Sequence, residues 1–441
     1  MDWDGVGDSL VVSEVKVKRR QPEEEPSGTS GATIAVVPLD EPEIAMPRTR
    51  RTAVGKTLPF IVALPAVTLT YWTIDILSPA LPSIKEDLSL SAAGAGLVFS
   101  LLFLGRLIGN LPAAFLVDRI GAALTATIGG AVLAVGSLGA AFATSGPMLL
   151  PTRVLQGIGI AFLVTAALRS VLRARPGQGA AMTYFTFSAT LGGVFGLQSG
   201  GILTESISWR AVFGLCVGIA ALLTVTSFAM RNRGVAAALP PEPSPDVAAT
   251  PTVTTYTGSI TPSLIVNFLV FVNYSVWVAL PLYAERRFDA NAEMNANLLL
   301  VVTVMHLIVA FPAGRAIRKW GGRPIMLAGL LVAMTGTLLV LPAPGLGWLL
   351  IPLVLYGSGM VAASNAGSDI VLQRGGLGSR AVGLVRLSSD LGLVLGPVIG
   401  GFLSDSYGYR APFVALPIVT AIAIVLGYRD RMGPRRASRQ D

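Results

Sequence analysis

Gly192 to Phe213 reads GGVFGLQSGGILTESISWRAVF, and Gly392 to Phe413 reads GLVLGPVIGGFLSDSYGYRAPF. The two stretches lie 200 residues apart, align without a gap and are identical at ten of 22 positions. Further matches at the same offset are Gly121 with Gly321 and Gly157-x-Gly159 with Gly357-x-Gly359. A repeat long enough to hold several apolar helices predicts two structurally similar halves.

The composition indicates an integral membrane protein. The 441 residues are 52% hydrophobic and only 13% charged, with a mean hydropathy of +0.66, whereas soluble domains carry roughly 25% charged residues. The 49 glycines suit helices that pack closely in lipid. In a membrane protein, two repeated halves are typical of a transporter whose site lies between them.

Twelve apolar runs are long enough to cross a bilayer, for which about 20 residues suffice. We expect these spans at 57–82, 93–117, 123–144, 148–172, 180–203, 211–230, 261–284, 295–317, 325–344, 348–370, 380–403 and 411–428. They predict an all-α membrane fold of two pseudo-symmetric six-helix bundles. The domains are then a disordered tail (1–56), a first bundle (57–230), a Pro-rich linker (231–260), a second bundle (261–428) and a basic tail (429–441).

The distribution of charge predicts the orientation. The net charge is +8 and the pI about 9.9, but the basic residues lie mostly in the tails and in every second connection. The positive-inside rule therefore explains the charge without a nucleic-acid partner, and it predicts that both termini are cytoplasmic in the cell membrane.

Asp75 lies inside the first span, in YWTIDILSPALPSI. A carboxylate in a span is costly and is by default a functional residue with a partner. Counted from Pro82 and Pro147, Asp75 and Arg153 should share a depth. A carboxylate beside an arginine stays ionised, so moving the arginine away would switch it. The pair is predicted to couple protons, and the alternative is a static ion pair between the first and fourth helices.

Three residues follow Arg153 on the fourth helix. Gln156, one turn further on, is expected to orient the arginine. Gly157 and Gly159 are expected to allow close helix packing.

A second charged group closes the second helix. Asp118, Arg119 and Gly121 are expected to face Arg386 and Asp390 of the eleventh helix at the cytoplasmic side. Opposite charges there predict a gate between the halves, and the alternative is a set of solvated loop charges.

Small residues line one face of the fifth and eleventh helices: Gly192, Gly196, Gly200 and Gly201, then Gly392, Gly396, Pro397 and Gly400. Glycine allows close contact or bending, and proline removes a backbone hydrogen bond. We expect these helices to flex, with plain packing as the alternative.

Aromatic and amide side chains within the spans are candidates for a cavity that takes an amphiphilic organic compound: Tyr71, Asn273, Tyr274, Trp277, Tyr356 and Asn365. His306, the only histidine, is either a proton relay or a packing residue. One cysteine and one histidine offer no metal cluster, and no Walker loop is present. No cofactor and no enzyme activity are expected. The expected partners are a small-molecule substrate, protons and the bilayer, with the chain acting as a monomer.

With these residues assembled, residues 57–428 resemble the major facilitator superfamily, and within it the twelve-helix drug:proton antiporters. RVLQGIG at Arg153 to Gly159 is similar to the helix 4 signature, and TIDILSPALP at Thr73 to Pro82 is similar to the helix 1 signature. FLVDRIG at Phe115 to Gly121 matches the helix 2–3 loop in part. The antiporter Gly-Pro appears on the eleventh helix, at Gly396-Pro397, instead of the fifth. The resemblance implies that Asp75 is protonatable and that Arg153 couples proton to substrate.

Three functions follow from these features. The first is a proton-coupled secondary transporter that exports drugs or amphiphilic metabolites by alternating access. The second is an uptake symporter or facilitator for a small organic solute. The third, of another class, is a membrane sensor or scaffold that transports nothing. An intramembrane titrating group favours the first two.

Overall fold

The computed structural model describes residues 53–174, 178–232, 260–375 and 379–430. Apart from a few residues at their edges, the predicted N-terminal tail, linker and basic tail lie outside these ranges. Every regular element within the described ranges is helical.

Six membrane crossings form the first half. They are α1 (Ala53–Asp75) continued by a 3₁₀ turn (Ser78–Ala80) and α2 (Leu81–Asp87), then α3 (Ala92–Ile120), α4 (Ala122–Ala141), α5 (Gly146–Ala174), α6 (Gln178–Ser206) and α7 (Trp209–Asn232). The first crossing therefore ends at Asp87 rather than at the predicted residue 82. Pro79 and Pro82 stand in the first turns of new helical segments, where a backbone N–H has no acceptor within the helix, so the missing N–H of proline costs nothing and the chain continues as a helix.

Six crossings also form the second half. They are α8 (Thr261–Val272) continued by a 3₁₀ turn (Asn273–Ser275) and α9 (Val276–Phe288), then α10 (Ala292–Trp320), α11 (Gly322–Leu339), α12 (Leu350–Gly375), α13 (Ser379–Tyr407) and α14 (Ala411–Arg429), with a 3₁₀ turn (Leu346–Leu349) before α12. The predicted fold of twelve membrane helices in two bundles is confirmed.

The repeat is visible in matching helix ends. The side chains of Ser91 and Asn291 cap the first turns of α3 and α10, which are both 29 residues long. Both helices end at a glycine with positive φ, Gly121 at 85° and Gly321 at 86°, a conformation that other residues rarely adopt. We call the two ends of the molecule the Ser91 end and the Gly121 end.

The glycine repeat brings neighbouring helices into backbone contact. Gly192, Gly196 and Gly200 form one face of α6, where any β-carbon would collide with main-chain oxygens of the first crossing. Their repeat partners Gly392 and Gly396 in α13 meet main-chain oxygens of the seventh crossing in the same manner, and a β-carbon at Gly400 would lie 3.0 Å from the Cβ atom of Ser275. These contacts explain the spacing by packing. Flexing of the two helices stays a prediction.

Two carboxylates join the halves at the Ser91 end. Asp405 of α13 accepts hydrogen bonds from the backbone N–H groups of Ala92 and Ala93, both at 2.8 Å, at the N-terminus of α3. Its repeat partner Glu205 of α6 accepts from Ala292 N at 3.3 Å, at the N-terminus of α10. A helix N-terminus carries partial positive charge. Each half thus supplies an acid to a helix of the other, and this end is closed.

We expect Glu205→Gln combined with Asp405→Asn to loosen the Ser91 end, because the amides keep the shape but lose the charge that the helix N-termini attract. Ala296, which is fully buried in the contact with Gly201, reports opening when it is replaced by cysteine in a Cys216→Ala chain. The alkylation rate of this cysteine should rise several-fold.

The matched control is Asp87→Asn at the same end. Arg210 and Trp209 donate hydrogen bonds to the carboxylate of Asp87 at 2.7 and 3.0 Å. These contacts lie within one half, so this variant should leave the alkylation rate unchanged. Equal rates in all variants would show that the two carboxylates do not hold the halves together.

Candidate substrate and proton site

A cavity of about 340 Å³ lies between the two halves. The first half lines it from α1, α3 and α5, and the second half lines it from the seventh crossing and α13. The polar residues in its wall are Tyr71, Asp75, Arg106, Asn110, Tyr274, Arg386, Ser389 and Asp390. Two acids and two arginines thus surround a space that also has aromatic walls.

Asp75 is the last residue of α1, where the helix breaks before Leu81. Its repeat partner Ser275 lies in the 3₁₀ turn of the seventh crossing, so both halves interrupt the helix at this level. Gly193 of α6 leaves room for the carboxylate, since a β-carbon there would lie 2.7 Å from Asp75 Oδ2. The break and the small neighbour together expose a carboxylate to the cavity.

Arg106 of α3 connects the halves through the second acid. Its guanidinium forms an ion pair with Asp390 of α13, and Asn110 donates to the other oxygen of that carboxylate at 2.9 Å. Asp75 has no ion-pair partner within 4.0 Å among the described residues, and the charge that acts on it is that of Arg106. The charge of Asp390 is therefore balanced by an ion-pair partner, whereas that of Asp75 is not.

Aromatic rings extend from the cavity along the seventh crossing. Phe271 stacks on Tyr274, and Tyr274 stacks on Trp277, with ring centroids 5.5 and 5.1 Å apart. Trp277 lies beside Asp75, and its buried indole N–H is close to the carboxylate without forming a hydrogen bond with any described residue. The other edge of Trp277 meets His306 at 6.5 Å. This row offers π faces next to a carboxylate.

Comparison with known proteins now identifies the family. The sequence model of the Major Facilitator Superfamily matches residues 63–376 and 374–440. The chain belongs to the Major Facilitator Superfamily. It is therefore a secondary transporter of the membrane and not an enzyme.

Two relatives from Escherichia coli differ in what their names say they carry. The putative multidrug resistance protein MdtD of strain E2348/69 is 24% identical over 390 residues, which cover 76% of this chain and 83% of MdtD. The arabinose-proton symporter of strain K12 is 31% identical over 161 residues. That match covers 36% of this chain and about a third (34%) of the symporter.

Solved structures show the same fold. A bacterial homologue of the human lysosomal transporter Spinster, in an inward-facing and occupied conformation, superposes with a TM-score of 0.71 at 18% identity. The alignment covers 86% of this chain and 97% of that one. The nucleoside transporter NupG gives a TM-score of 0.63 at 13% identity, covering 86% and 98%.

The predicted pair of Asp75 and Arg153 is wrong. Arg153 of α5 is only 2% exposed, and it donates to the backbone oxygen of Val98 at 3.0 Å and to Gln156. Its remaining nitrogen Nη2 has no hydrogen-bond partner among the described residues. The predicted contact between Gln156 and Arg153 is present. A role for this superfamily signature in proton coupling stays a prediction.

The depth estimate explains the error. Because the first crossing continues to Asp87, Asp75 lies five residues further from the Ser91 end than a count from Pro82 implies, or about 7 Å at helical rise. The side chain of Arg153 also leaves α5 towards α3 and α4, where Gln156 in turn donates to Ser137 at 2.8 Å. Arg106 takes the position that the sequence assigned to Arg153.

Arg106 was missed although its signal was available. It is an arginine in the middle of a predicted apolar span, and such residues are by default functional. Its partner could not be predicted, since Arg106 and Asp390 are 284 residues apart in the chain.

The predicted gate of Asp118 and Arg386 belongs to a state in which the cytoplasmic end is shut, and it stays a prediction, because in this structure the halves join at the Ser91 end. Asp118 is 60% exposed and pairs with Arg169 of α5, within its own half. Arg119 is exposed and lies over the ring of Phe115. The ion pair between α3 and α13 is made by Arg106 and Asp390 instead.

The cavity residues predicted from sequence separate into three groups. Tyr71 and Tyr274 line the central cavity, and Trp277 stacks behind Tyr274. Asn273 and Tyr356 are buried structural residues, which corrects the prediction: the Tyr356 hydroxyl donates to Asn273 O at 2.7 Å, and Thr420 donates to Asn273 Oδ1 at 3.1 Å. Their polar atoms are already bonded inside the second half.

Asn365 lines a different cavity, of about 230 Å³, between α6, α10 and α12. His306 also lines it, with its Nδ1 held 2.8 Å from the backbone oxygen of Val302. Phe187 and Phe311 form the apolar part of its wall and are 47% and 54% exposed. Asn365 therefore lines a cavity other than the one that contains Asp75, and its part in binding substrate stays a prediction.

The glycines of the helix 4 signature serve packing. A β-carbon at Gly157 would overlap the backbone oxygen of Leu102 in α3, and one at Gly159 would lie 2.6 Å from the backbone nitrogen of Leu133 in α4. α5 therefore touches both neighbours backbone to backbone, as close packing in lipid requires.

We expect Gly157→Val to lower the free energy of unfolding by about 3 kcal/mol, because the added carbons force α5 away from α3. Thermal unfolding in detergent, followed by tryptophan fluorescence, measures the change. Gly218→Val is the matched control, since a β-carbon at Gly218 meets no atom within 4 Å. Equal melting temperatures for the two variants would contradict the packing role.

Proposed function

We propose that this transporter is a proton-coupled exporter of amphiphilic organic compounds, and that Asp75 carries the proton. The observation that supports this most is the unpaired Asp75 carboxylate in a cavity between the halves. An ionisable side chain at this position is costly and is retained for a purpose. Exchange of a proton for a substrate is a purpose that explains this carboxylate.

The walls of the cavity favour an aromatic or lipophilic cation as substrate. Tyr71 and Phe271 belong to the cavity wall, and the stacked Tyr274 and Trp277 present further π faces near Asp75. Aromatic faces attract cations, and the attraction is stronger where water is excluded. A substrate cation and a proton would then compete for the same carboxylate, which is the requirement for exchange.

Alternating access follows from the two ends. Glu205 and Asp405 close the Ser91 end. At the central cavity, the ion pair of Arg106 and Asp390 holds α3 of the first half against α13 of the second half. We assign the Gly121 end to the cytoplasm, because Arg315, Arg318 and Lys319 gather there and the positive-inside rule favours that side. Both termini are then cytoplasmic in the cell membrane, and we expect the chain to work as a monomer.

A proton symporter for uptake is the second candidate. The match to the arabinose-proton symporter favours it, but it covers a third of that protein, whereas the match to MdtD covers most of both chains. The aromatic row beside Asp75 also fits an amphiphile better than a sugar, whose hydroxyls require many hydrogen bonds. A sensor or scaffold has no use for an unpaired carboxylate in the span.

Transport in inverted membrane vesicles tests the direction and the coupling. With an acidic lumen, addition of ethidium, an aromatic cation, should release protons from the lumen and accumulate ethidium there. Arabinose should release none. Ethidium that enters intact, efflux-deficient cells together with protons would contradict export. Arabinose loaded into the lumen that leaves together with protons would favour a symporter.

A further inference from the structure

Arg106 is shared by two acids that belong to different halves. Its ion pair with Asp390 joins α3 to α13, and the two side chains are only 16% and 6% exposed. Asn110, one turn further along α3, binds the second oxygen of Asp390. Both carboxylate oxygens of Asp390 are therefore held by α3.

The second acid is Asp75, which lines the same cavity from the half to which Arg106 itself belongs. The positive charge of Arg106 acts on Asp75 across the cavity, although Asp390 holds the guanidinium. An arginine stays charged in proteins and offers five N–H donors. A buried charge of this kind needs a partner in every conformation.

We propose that Arg106 is a positioning residue that exchanges between Asp390 and Asp75, so that separating α3 from α13 drives proton release from Asp75. When the helices separate, Arg106 loses Asp390 and keeps Asp75 as the acid of its own half. Pairing with Arg106 requires the ionised carboxylate, so the proton leaves. When the helices meet again, Asp390 recaptures Arg106 and Asp75 can take up a proton.

The other charged or titratable groups around the cavity do not offer this exchange. Tyr71 and Tyr274 line the cavity with phenol groups and supply no carboxylate. Arg386 lies on α13 and therefore moves away together with Asp390. Trp277, Gly193 and Thr303 near Asp75 carry no charge. The proposal rests on the proposed proton-coupled function, and it names the residue that links the proton to the movement.

The test is a pH titration of Asp75 in purified full-length protein. The infrared band of its protonated carboxyl is assigned by its loss in Asp75→Asn. Arg106→Gln should raise the midpoint by about one pH unit, because the ionised form loses its cation. Asp390→Asn should lower the midpoint by a similar amount, because Arg106 is released to Asp75. Arg106→Lys keeps the positive charge, so its midpoint should lie close to that of the unmodified protein.

The double variant separates exchange from simple addition of charges. If Asp390 acts through Arg106, Asp390→Asn shifts the titration midpoint of Asp75 when Arg106 is present. The same substitution then leaves this midpoint unchanged in a protein that already carries Arg106→Gln. Should Arg106→Gln not fold by itself, the double variant is compared with Asp390→Asn, from which it differs only at residue 106. The same midpoint in those two proteins would overturn the proposal, as would an Asp75 band that does not titrate.

This titration needs no substrate, so it distinguishes the inference from the function on which it rests. An exporter that moves no protons with ethidium refutes the proposed coupling, whatever the titration shows. Normal coupling with additive midpoint shifts refutes the exchange of Arg106 alone.

Discussion

Asp75→Asn should reduce proton-driven transport to the level of vesicles that lack the protein, while the chain still folds and inserts. The amide has nearly the same shape as the carboxyl but can neither bind nor release a proton in the physiological range. Asp75 has no ion-pair partner within 4.0 Å among the described residues, and Arg106 is paired with Asp390, so in this conformation the substitution leaves no buried cation unpaired. Removing this carboxylate should therefore leave the stability of the fold almost unchanged and abolish the exchange of protons for substrate.

The measurement is substrate-induced proton release in inverted vesicles, together with binding of the substrate to purified protein. Asp369→Asn is the matched control, because Asp369 also lies in a membrane helix, α12, but bonds to Gln373 at 2.6 Å and is absent from the cavity wall. It should retain transport. Proton release by Asp75→Asn at the unmodified rate would show that another group carries the proton.

Gly193→Ala should produce the second large loss of transport. The new methyl group would lie 2.7 Å from Asp75 Oδ2 and 3.5 Å from Thr303 Cγ2. The end of the Asp75 side chain can rotate away, and alanine favours a helix more than glycine does. The protein should therefore fold normally, with its carboxylate displaced and covered by an apolar group.

We expect gradient-driven transport to fall at least tenfold in Gly193→Ala and further in Gly193→Val, since each added carbon fills more of the space beside Asp75. Gly218→Ala makes the same chemical change where a β-carbon meets nothing within 4 Å, and it should transport normally. Unfolding curves of the two alanine variants serve to compare their stability. Full transport by Gly193→Val would contradict a role for this contact.

The bilayer explains why the fold could be predicted. In lipid, every backbone group must be bonded within its own segment, so apolar runs of sufficient length become helices. Ten helices satisfy length and hydropathy criteria for a span among the described residues. The first and fifth crossings complete the twelve, and the fifth carries the glycine repeat that the sequence shows directly.

The partners of the charged residues could not be predicted in the same way. A sequence shows that Asp75 and Arg153 lie in apolar surroundings, but the direction of each side chain depends on helix rotation and on where a crossing ends. The helix break at Asp75 and the continuation of the first crossing to Asp87 place Asp75 at a different depth from the predicted one. The rotation of α5 directed the other towards Val98.

The sequence by itself determined that this chain crosses the membrane twelve times, that its halves repeat, and that Asp75 is an ionisable group in a span. These properties depend on local composition and on hydrogen bonds within each helix. Only the tertiary structure decided that Arg106 pairs with Asp390 in the cavity that Asp75 also lines, that Gly193 faces the carboxylate, and that Glu205 and Asp405 close the Ser91 end. Each of these contacts joins distant parts of the chain, so it exists only once the helices have packed.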